Sequence, residues 1–426
     1  MWDQRNNPDF SQQLVSWRRM FHENPEVSTK EKQTSLAVAD ILQGMGVEVQ
    51  TFQEHFGLCA IIRGDHAGPV VAFRADMDAL PITEVSDAPY RSTRPGVMHA
   101  CGHDGHMAIA LGVAKLFSSC RSKLAGTVKI LFQPAEEAAP TGGAALLINE
   151  GVLDDGDVIF GLHLWPDLPC GQIGTCAGPL MAASDRFTIT LLGQGAHAGQ
   201  PQNGVDAITM AADIIQGLGH IMSRQIDPLE TATLSVGTIE GGERYNVIAR
   251  EVVLNGTVRT LGEKVRKEIP AKMERLLAGM TAAQGGDYTL HYQYGYPVLN
   301  NWTEPTEIVI QAARQVIGEK AVHNNIRPVL AAEDFGRYLA KMPGTYFWLG
   351  CAKAGQKNYG LHSPNFDIDE DALLIGSQIM FQAGLLALTH YGKQEQAVAN
   401  DKASIYLLNK EVECGLEATA ATRSPL

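Results

Sequence analysis

Apolar positions fall in blocks of two periods along this chain, and the order of those blocks predicts the fold. Over 10–45 the spacing is helical, with Trp17, Met20, Leu36, Val38, Ile41 and Leu42 supplying apolar faces around an Asn24-Pro25 turn. Segments 59–62, 70–74 and 127–132 are short, rich in branched side chains and bounded by Gly or Pro, as buried strands are. Between them, Asp104 is placed to cap a helix carrying Met107, Ala110, Leu111, Ala114 and Leu116. A helix over 143–150 and a strand over 157–163 follow. Strands alternating with helices imply an α/β layer fold, in which sites form beyond the carboxyl ends of strands. Asp76, Asp78, Glu136, Glu137 and His163 all fall at or just past such ends.

The texture changes near 184. A strand over 186–192 leads into a Gly-rich loop, and then Val205, Ile208, Ala212, Ile215, Leu218 and Met222 recur at helical spacing. Segments 231–239 and 251–259 alternate like strands with one exposed face, a helix covers 262–283, and a strand over 288–294 closes the set. The order β-α-β-β-α-β is the split, ferredoxin-like pattern. It predicts a small domain over 185–294 inserted into a larger one made of 1–184 and 295–394. The larger unit resumes with helices around 304–316 and 333–341, a strand over 345–349 and a helix over 370–390. Residues 395–426 are polar, Ala-rich and weakly patterned, and read as an extension of unknown role.

Composition narrows the function classes. A net charge of −13 without any basic stripe argues against nucleic acid as a partner. No uninterrupted apolar run approaches the roughly 18 residues of a membrane span, and the N-terminus lacks the basic-then-apolar layout of a secretory signal. The 7 cysteines are odd in number and irregularly spaced, which does not make a disulfide framework. A reduced cytoplasm is the expected compartment, where Cys101 can act as a thiolate.

The densest chemistry is Met-His-Ala-Cys-Gly-His-Asp-Gly-His at 98–106, which offers nitrogen, sulfur and oxygen donors. Taken alone, Cys101 and His103 are open to two readings, since a buried cysteine is often only a small apolar group. The Gly turn between them and the other donors at strand ends favour ligation. The Cys-x-x-Cys pairs that close structural zinc sites are absent from the sequence. His99 and His106 read equally as core or supporting residues. Glu136-Glu137 follows an apolar strand and Pro134; extended chain alternates sides, so one carboxylate can meet a metal while its neighbour faces substrate. Asp76 and Asp78 are open between turn capping and holding a ligand histidine in one tautomer.

These segments together resemble a known family. RADMDALPI (74–82), MHACGHDGH (98–106), LFQPAEE (131–137), GLHLWP (161–166), GAHAGQPQNGVDA (195–207), YNVIA (245–249), GTVRT (256–260), AAEDF (331–335) and LHSPNF (361–366) stand in the order found in dinuclear-metal amidohydrolases and metallopeptidases. Hippurate hydrolases, N-acyl-L-amino acid amidohydrolases and auxin-conjugate hydrolases are of this type, and the resemblance spans roughly residues 10–390. It implies a mixed-sheet, zinc-peptidase-like catalytic domain whose insert acts as a lid and dimerisation domain. It implies that Cys101, His103, Glu137, His163 and His362 ligate two divalent transition-metal ions (Zn, Mn, Ni or Co) and that Glu136 is the general base. Asp78 is similar to the residue that orients a ligand. Asp76 stands where wider relatives carry a ligand histidine, a departure shared with the cysteine-containing branch. His197 resembles a histidine that polarises the scissile carbonyl, often across a dimer, and Asn246 and Arg259 resemble groups that meet the substrate's carbonyl or carboxylate. The expected reaction is hydrolysis of N-acyl-L-amino acids by a homodimer. A dipeptidase or carboxypeptidase on the same scaffold is the near alternative, and a non-catalytic binding protein the distant one.

Overall fold

The computed structural model describes residues 8–393, so the extension expected over 395–426 lies outside the described residues. Helices α1 (Pro8–Glu23) and α2 (Lys32–Gly44) lead into strands β1 (Glu48–Thr51), β2 (Leu58–Arg63) and β3 (His66–Asp76). After a long loop come α3 (His103–Ser119), β4 (Ala125–Gln133), α4 (Ala144–Asn149), β5 (Val158–Pro169), β6 (Ile173–Gly174) and β7 (Gly178–Met181). The next stretch holds β8 (Ala183–Leu192), α5 (Ala207–Arg224), β9 (Ala232–Gly241), β10 (Glu251–Thr260), α6 (Glu263–Gln284) and β11 (Asp287–Tyr296). The chain then runs through β12 (Leu299–Asn301), α7 (Thr303–Ile317), β13 (Val322–His323), α8 (Gly336–Leu339) and β14 (Gly344–Ala352). It ends in α9 (Asp371–Lys393).

Eight strands form one mixed sheet in the order β1-β2-β4-β3-β5-β14-β6-β13. Its centre, β4-β3-β5-β14, is parallel throughout, so four carboxyl ends lie along one edge. Alternate residues of those strands enter opposite cores. Phe73, Ile130 and Phe160 pack towards α1, α2, α3, α7 and α9, whereas Ala72, Leu131 and Ile159 pack towards α4 and α8. Burial on both faces explains why these strands read as unbroken apolar runs.

The second sheet, β11-β8-β10-β9, is antiparallel throughout. Phe187, Ile189, Leu191, Val252 and Leu254 pack on one side against Ile214 and Leu218 of α5 and Ile269, Met273 and Leu277 of α6. Its other face is free of helices and carries alternating polar residues, including Ser184, Arg186 and Arg259.

Two expectations need correction. Asp104 does not cap α3: Gly102, at φ 87°, holds the cap position, and the Asp104 side chain turns into the core. And α9, whose most apolar 18-residue stretch has a mean hydropathy of 1.6, is by length and composition able to cross a membrane although it contains no unbroken apolar run of that length. Here its Leu373, Ile379, Met380, Ala383 and Leu388 are buried in the core on the α3 side of the large sheet.

Asp104 joins a buried ion network instead. Arg18, fully buried on α1, donates to Asp104 and Asp367, each at 2.8 Å, and lies 3.3 Å from Glu370. His22 meets the same Asp104 oxygen at 2.7 Å. Burial alone would raise the Asp104 carboxyl; Arg18 and His22 outweigh it and hold the group well below the usual carboxylate range. The network ties α1 and the segment before α9 to the first turn of α3, next to His103. Arg18→Met should therefore cost about 3–5 kcal/mol in chemical unfolding, because Asp104 is left as an uncompensated buried charge. A loss below about 1 kcal/mol would show that the network contributes no more than a surface ion pair.

Candidate metal centre

The loop from β3 to α3, the turn after β4, the middle of β5 and the loop at 362 meet at the carboxyl edge of the large sheet. Left-handed Gly102 turns the chain between Cys101 and His103, so both side chains stay at that edge. His362 has a left-handed backbone as well (φ 64°), and its N–H donates to the Ala100 carbonyl at 2.8 Å, which pins the distant loop beside Cys101.

Hydrogen bonds sort the histidines by what their rings leave free. His103 Nδ1 donates to the Asp78 main-chain carbonyl at 2.8 Å, and its buried Nε2 has no hydrogen-bond partner. His163 Nδ1 donates to the Leu164 carbonyl at 2.8 Å, which leaves Nε2 facing Cys101 Sγ at 3.4 Å. His106 is saturated: Nε2 accepts from the Leu164 N–H at 2.9 Å, and Nδ1 donates to Asp76 at 2.6 Å. His99 is buried with neither ring nitrogen hydrogen-bonded, and it joins none of the donor clusters among the described residues.

The remaining donors fall into groups at this edge. Cys101, His103 and His163 bring ligand atoms within 4.8 Å of one another, and so do Cys101, Glu137 and His362. Cys101 belongs to both groups. Glu137 Oε1 lies 3.1 Å from His362 Nε2, close enough for an ion pair but without hydrogen-bond geometry. Burial and the nearby Glu137, Glu136 and Asp76 push the Cys101 thiol well up, so a thiolate there needs a cation close by. Two unpartnered buried donor atoms and a mixed sulfur, imidazole and carboxylate set fit borderline-soft divalent metals. Asp76 does not fit as a ligand: Arg74 at 2.6 Å and His106 at 2.6 Å occupy its oxygens.

Asp78 is the organiser of this edge. Its Oδ1 accepts the Glu136 N–H at 3.0 Å, its Oδ2 accepts the Glu137 N–H at 2.9 Å, and its carbonyl orients His103. Glu136 is buried beside the cluster, and burial with Glu333, Glu137 and Asp334 nearby pushes its carboxyl well up. Sequence reasoning assigned no role to Arg74, Glu333 or Asp334, although all three lie in the quoted segments. Arg74 is fully buried and pairs with Asp76, Glu333 and Asp334 at 2.6, 2.9 and 2.8 Å.

A cleft of about 400 Å³ opens over the cluster, bounded by Glu136, His163, Trp165, Met181, Arg259 and Leu361 among others. Trp165 is held flat against Trp348, ring centroids 4.2 Å apart. Arg259 reaches the cleft from β10, where it sits opposite Ser184 of β8, another lining residue. His197 and Asn246 do not line this cleft. They are neighbours in the loops of the small sheet, where the Ala198 N–H donates to the Asn246 carbonyl at 3.1 Å. His197 is exposed, and its Nδ1 accepts from the Gly199 N–H at 2.9 Å, so the ring presents Nε2–H outward. Within one chain the expected approach of His197 and Asn246 to the ligand cluster is therefore not made.

The defining pattern of peptidase family M20/M25/M40 matches residues 72–384. The chain belongs to that family. This M20 chain is a metal-dependent hydrolase of amide bonds. It is 45% identical over 288 residues to an N-acyl-L-amino acid amidohydrolase of Geobacillus stearothermophilus, covering 67% of this chain and 78% of that one. Against thermostable carboxypeptidase 2 of Saccharolobus solfataricus it is 38% identical, covering 85% and 92%. A crystal structure of a dinuclear-metal-binding M20 peptidase from Bacillus subtilis superimposes with a TM-score of 0.78 at 35% identity, covering 89% of this chain and 99% of that one.

The sorting of the rings gives a direct expectation. His103→Ala should lower the metal retained after dialysis, read by elemental analysis. His106→Ala, only three residues on, should keep the stoichiometry while losing about 1–3 kcal/mol of stability through the orphaned Leu164 N–H and Asp76. The opposite ranking would reject the assignment.

Proposed function

We propose that this chain hydrolyses N-acyl-L-amino acids to a carboxylic acid and a free amino acid, with Cys101, His103, Glu137, His163 and His362 holding two divalent ions. One observation carries the substrate class. Among the described residues lining the cleft, Arg259 is the single guanidinium and makes no ion pair, while no carboxylate is free to receive an ammonium group. Glu333 is engaged by Arg74 and Tyr346, and Glu136 and Glu137 belong to the cluster. A ligand with a free carboxylate and a blocked amine suits that lining, and a dipeptide with a charged amino end does not. The amidohydrolase among the relatives supports this reading. A carboxypeptidase performs the same reaction on a peptidyl group, and a cleft near the small end of ligand pockets favours a short acyl group over it.

When bound, the ions supply Lewis acidity toward the amide carbonyl and a lowered pKa for a nearby water. Glu136 takes the proton of that water as its oxygen attacks the acyl carbon, then returns the proton to the nitrogen as the C–N bond breaks. Arg259 pairs with the substrate's carboxylate. His197 Nε2–H donates to the developing oxyanion from a second copy of the chain, with Asn246 beside it, so the working unit is a homodimer and 185–294 its mobile lid.

Glu136→Gln should keep its metal and lose turnover by roughly 10²–10⁴-fold; a variant that lost metal and kept residual rate in proportion would make Glu136 a ligand instead. Arg259→Met should raise KM for N-acyl amino acids by on the order of 10- to 100-fold and leave the corresponding N-acyl amino acid amides unaffected. Equal losses on both would remove the carboxylate contact. Release of amino acid from a panel of acylated amino acids, dipeptides and longer peptides decides among the substrate classes, and no release from any of them would leave a binding protein.

A further inference from the structure

Among the described residues, three that are not glycine have left-handed backbones, and two of them, Thr29 (φ 67°) and Ala135 (φ 56°), are held by the same atom. Their N–H groups donate to Oε1 of Glu31 at 2.9 and 2.8 Å. Glu31 occupies the N-cap position of α2, yet its side chain makes no capping bond to that helix. It is fully buried and reaches across to the turn after β4, where Ala135 immediately precedes Glu136 and Glu137.

Three successive N–H groups are thus gripped by two carboxylates: Ala135 by Glu31, and Glu136 and Glu137 by Asp78 at 3.0 and 2.9 Å. Asp78 is itself braced by the Ser28 hydroxyl at 2.6 Å, so the turn between α1 and α2 supports both carboxylates. A residue with a Cβ adopts the left-handed region only at a cost and needs local bonds to stay there. If Ala135 relaxed to an ordinary conformation, the peptide plane between 135 and 136 would rotate and the Glu136 N–H would leave Asp78. The side chains of the base and of a metal ligand would then leave the chain in new directions.

We propose that Glu31 is a positioning residue: by holding Ala135 left-handed, it aims Glu136 into the cleft and Glu137 at the metal cluster. The proposal rests on the amidohydrolase reading above and adds to it the residue that sets the geometry of its base.

The test compares Glu31→Gln, Glu31→Met and Glu31→Met/Ala135→Gly in the metal-loaded full chain. The readouts are hydrolysis of an N-acetyl-L-amino acid, metal loss to a competing chelator, and thermal unfolding. Glutamine keeps an acceptor oxygen and should stay within about threefold of the parent kcat. The methionine variant should lose on the order of 30- to 100-fold in kcat with little change in KM, since a shift of about 1 Å at a reacting group has that effect, and should release metal faster. Glycine takes positive φ without penalty, so the double variant should recover at least about tenfold of kcat and slow the metal loss. A methionine variant with parental kcat and metal retention would overturn the proposal, and so would a double variant no better than methionine alone. Should Glu31→Met fail to fold, Glu31→Asp withdraws the oxygen by one methylene and carries the same comparison with and without Ala135→Gly. A parent chain that hydrolyses no amide would remove the amidohydrolase reading, while the chelator ranking would still decide the role of Glu31.

Discussion

Everything at this site depends on how one buried carboxylate, Asp78, shares its atoms. Its two oxygens fix the backbone of Glu136 and Glu137, and its carbonyl fixes the tautomer and rotation of His103. Elements that are far apart in sequence, the β3 end, the α3 start and the turn after β4, therefore reach the cluster in one register. An aspartate suits this because it combines a short side chain with acceptors pointing two ways, and burial makes each of those bonds costly to break.

The charge balance around that joint explains why the centre suits cations. Arg74 is the only guanidinium among the groups it pairs with, and it faces Asp76, Glu333 and Asp334 together. Burial raises the Asp334 carboxyl to about 7, with Glu333 adding to the rise and Arg74 opposing it. Glu136 and Glu137 add further acidity on the cleft side. A buried region with more carboxylates than cations is unfavourable unless positive charge is brought to it, and the two sulfur-sharing donor groups lie where ions would bring it. The same logic separates His106 from its neighbours, because a ring committed at both nitrogens supports the site without entering it.

Much of this was legible in the chain. The apolar periods predicted the central strands, with Asp76 at the end of β3 and Glu136 just past β4, although β5 runs on past His163 to Pro169, and the β-α-β-β-α-β order predicted the second sheet with its helices on one face. The family resemblance implied the set Cys101, His103, Glu137, His163 and His362, and the fold brings their donor atoms into two groups that share Cys101. Asp104 misled because an aspartate near a helix start has the same local sequence whether it caps the helix or pairs with a buried arginine on another helix. The supporting groups were hidden for a related reason: Arg74 lies 259 and 260 positions from Glu333 and Asp334, and Glu31 lies 104 from Ala135. Such partners leave no periodic trace, and a left-handed alanine leaves none at all. His197 and Asn246 were visible as a motif, but within one chain they do not line the cleft, and spacing along the chain does not encode that.

The account stands on Cys101 sharing its sulfur between the two donor groups. An X-ray absorption spectrum at the metal edge of the zinc-loaded chain tests that most directly. The prediction is a sulfur scatterer at about 2.3 Å together with nitrogen and oxygen, lost in Cys101→Ser. A first coordination sphere of nitrogen and oxygen alone in the parent chain would contradict it.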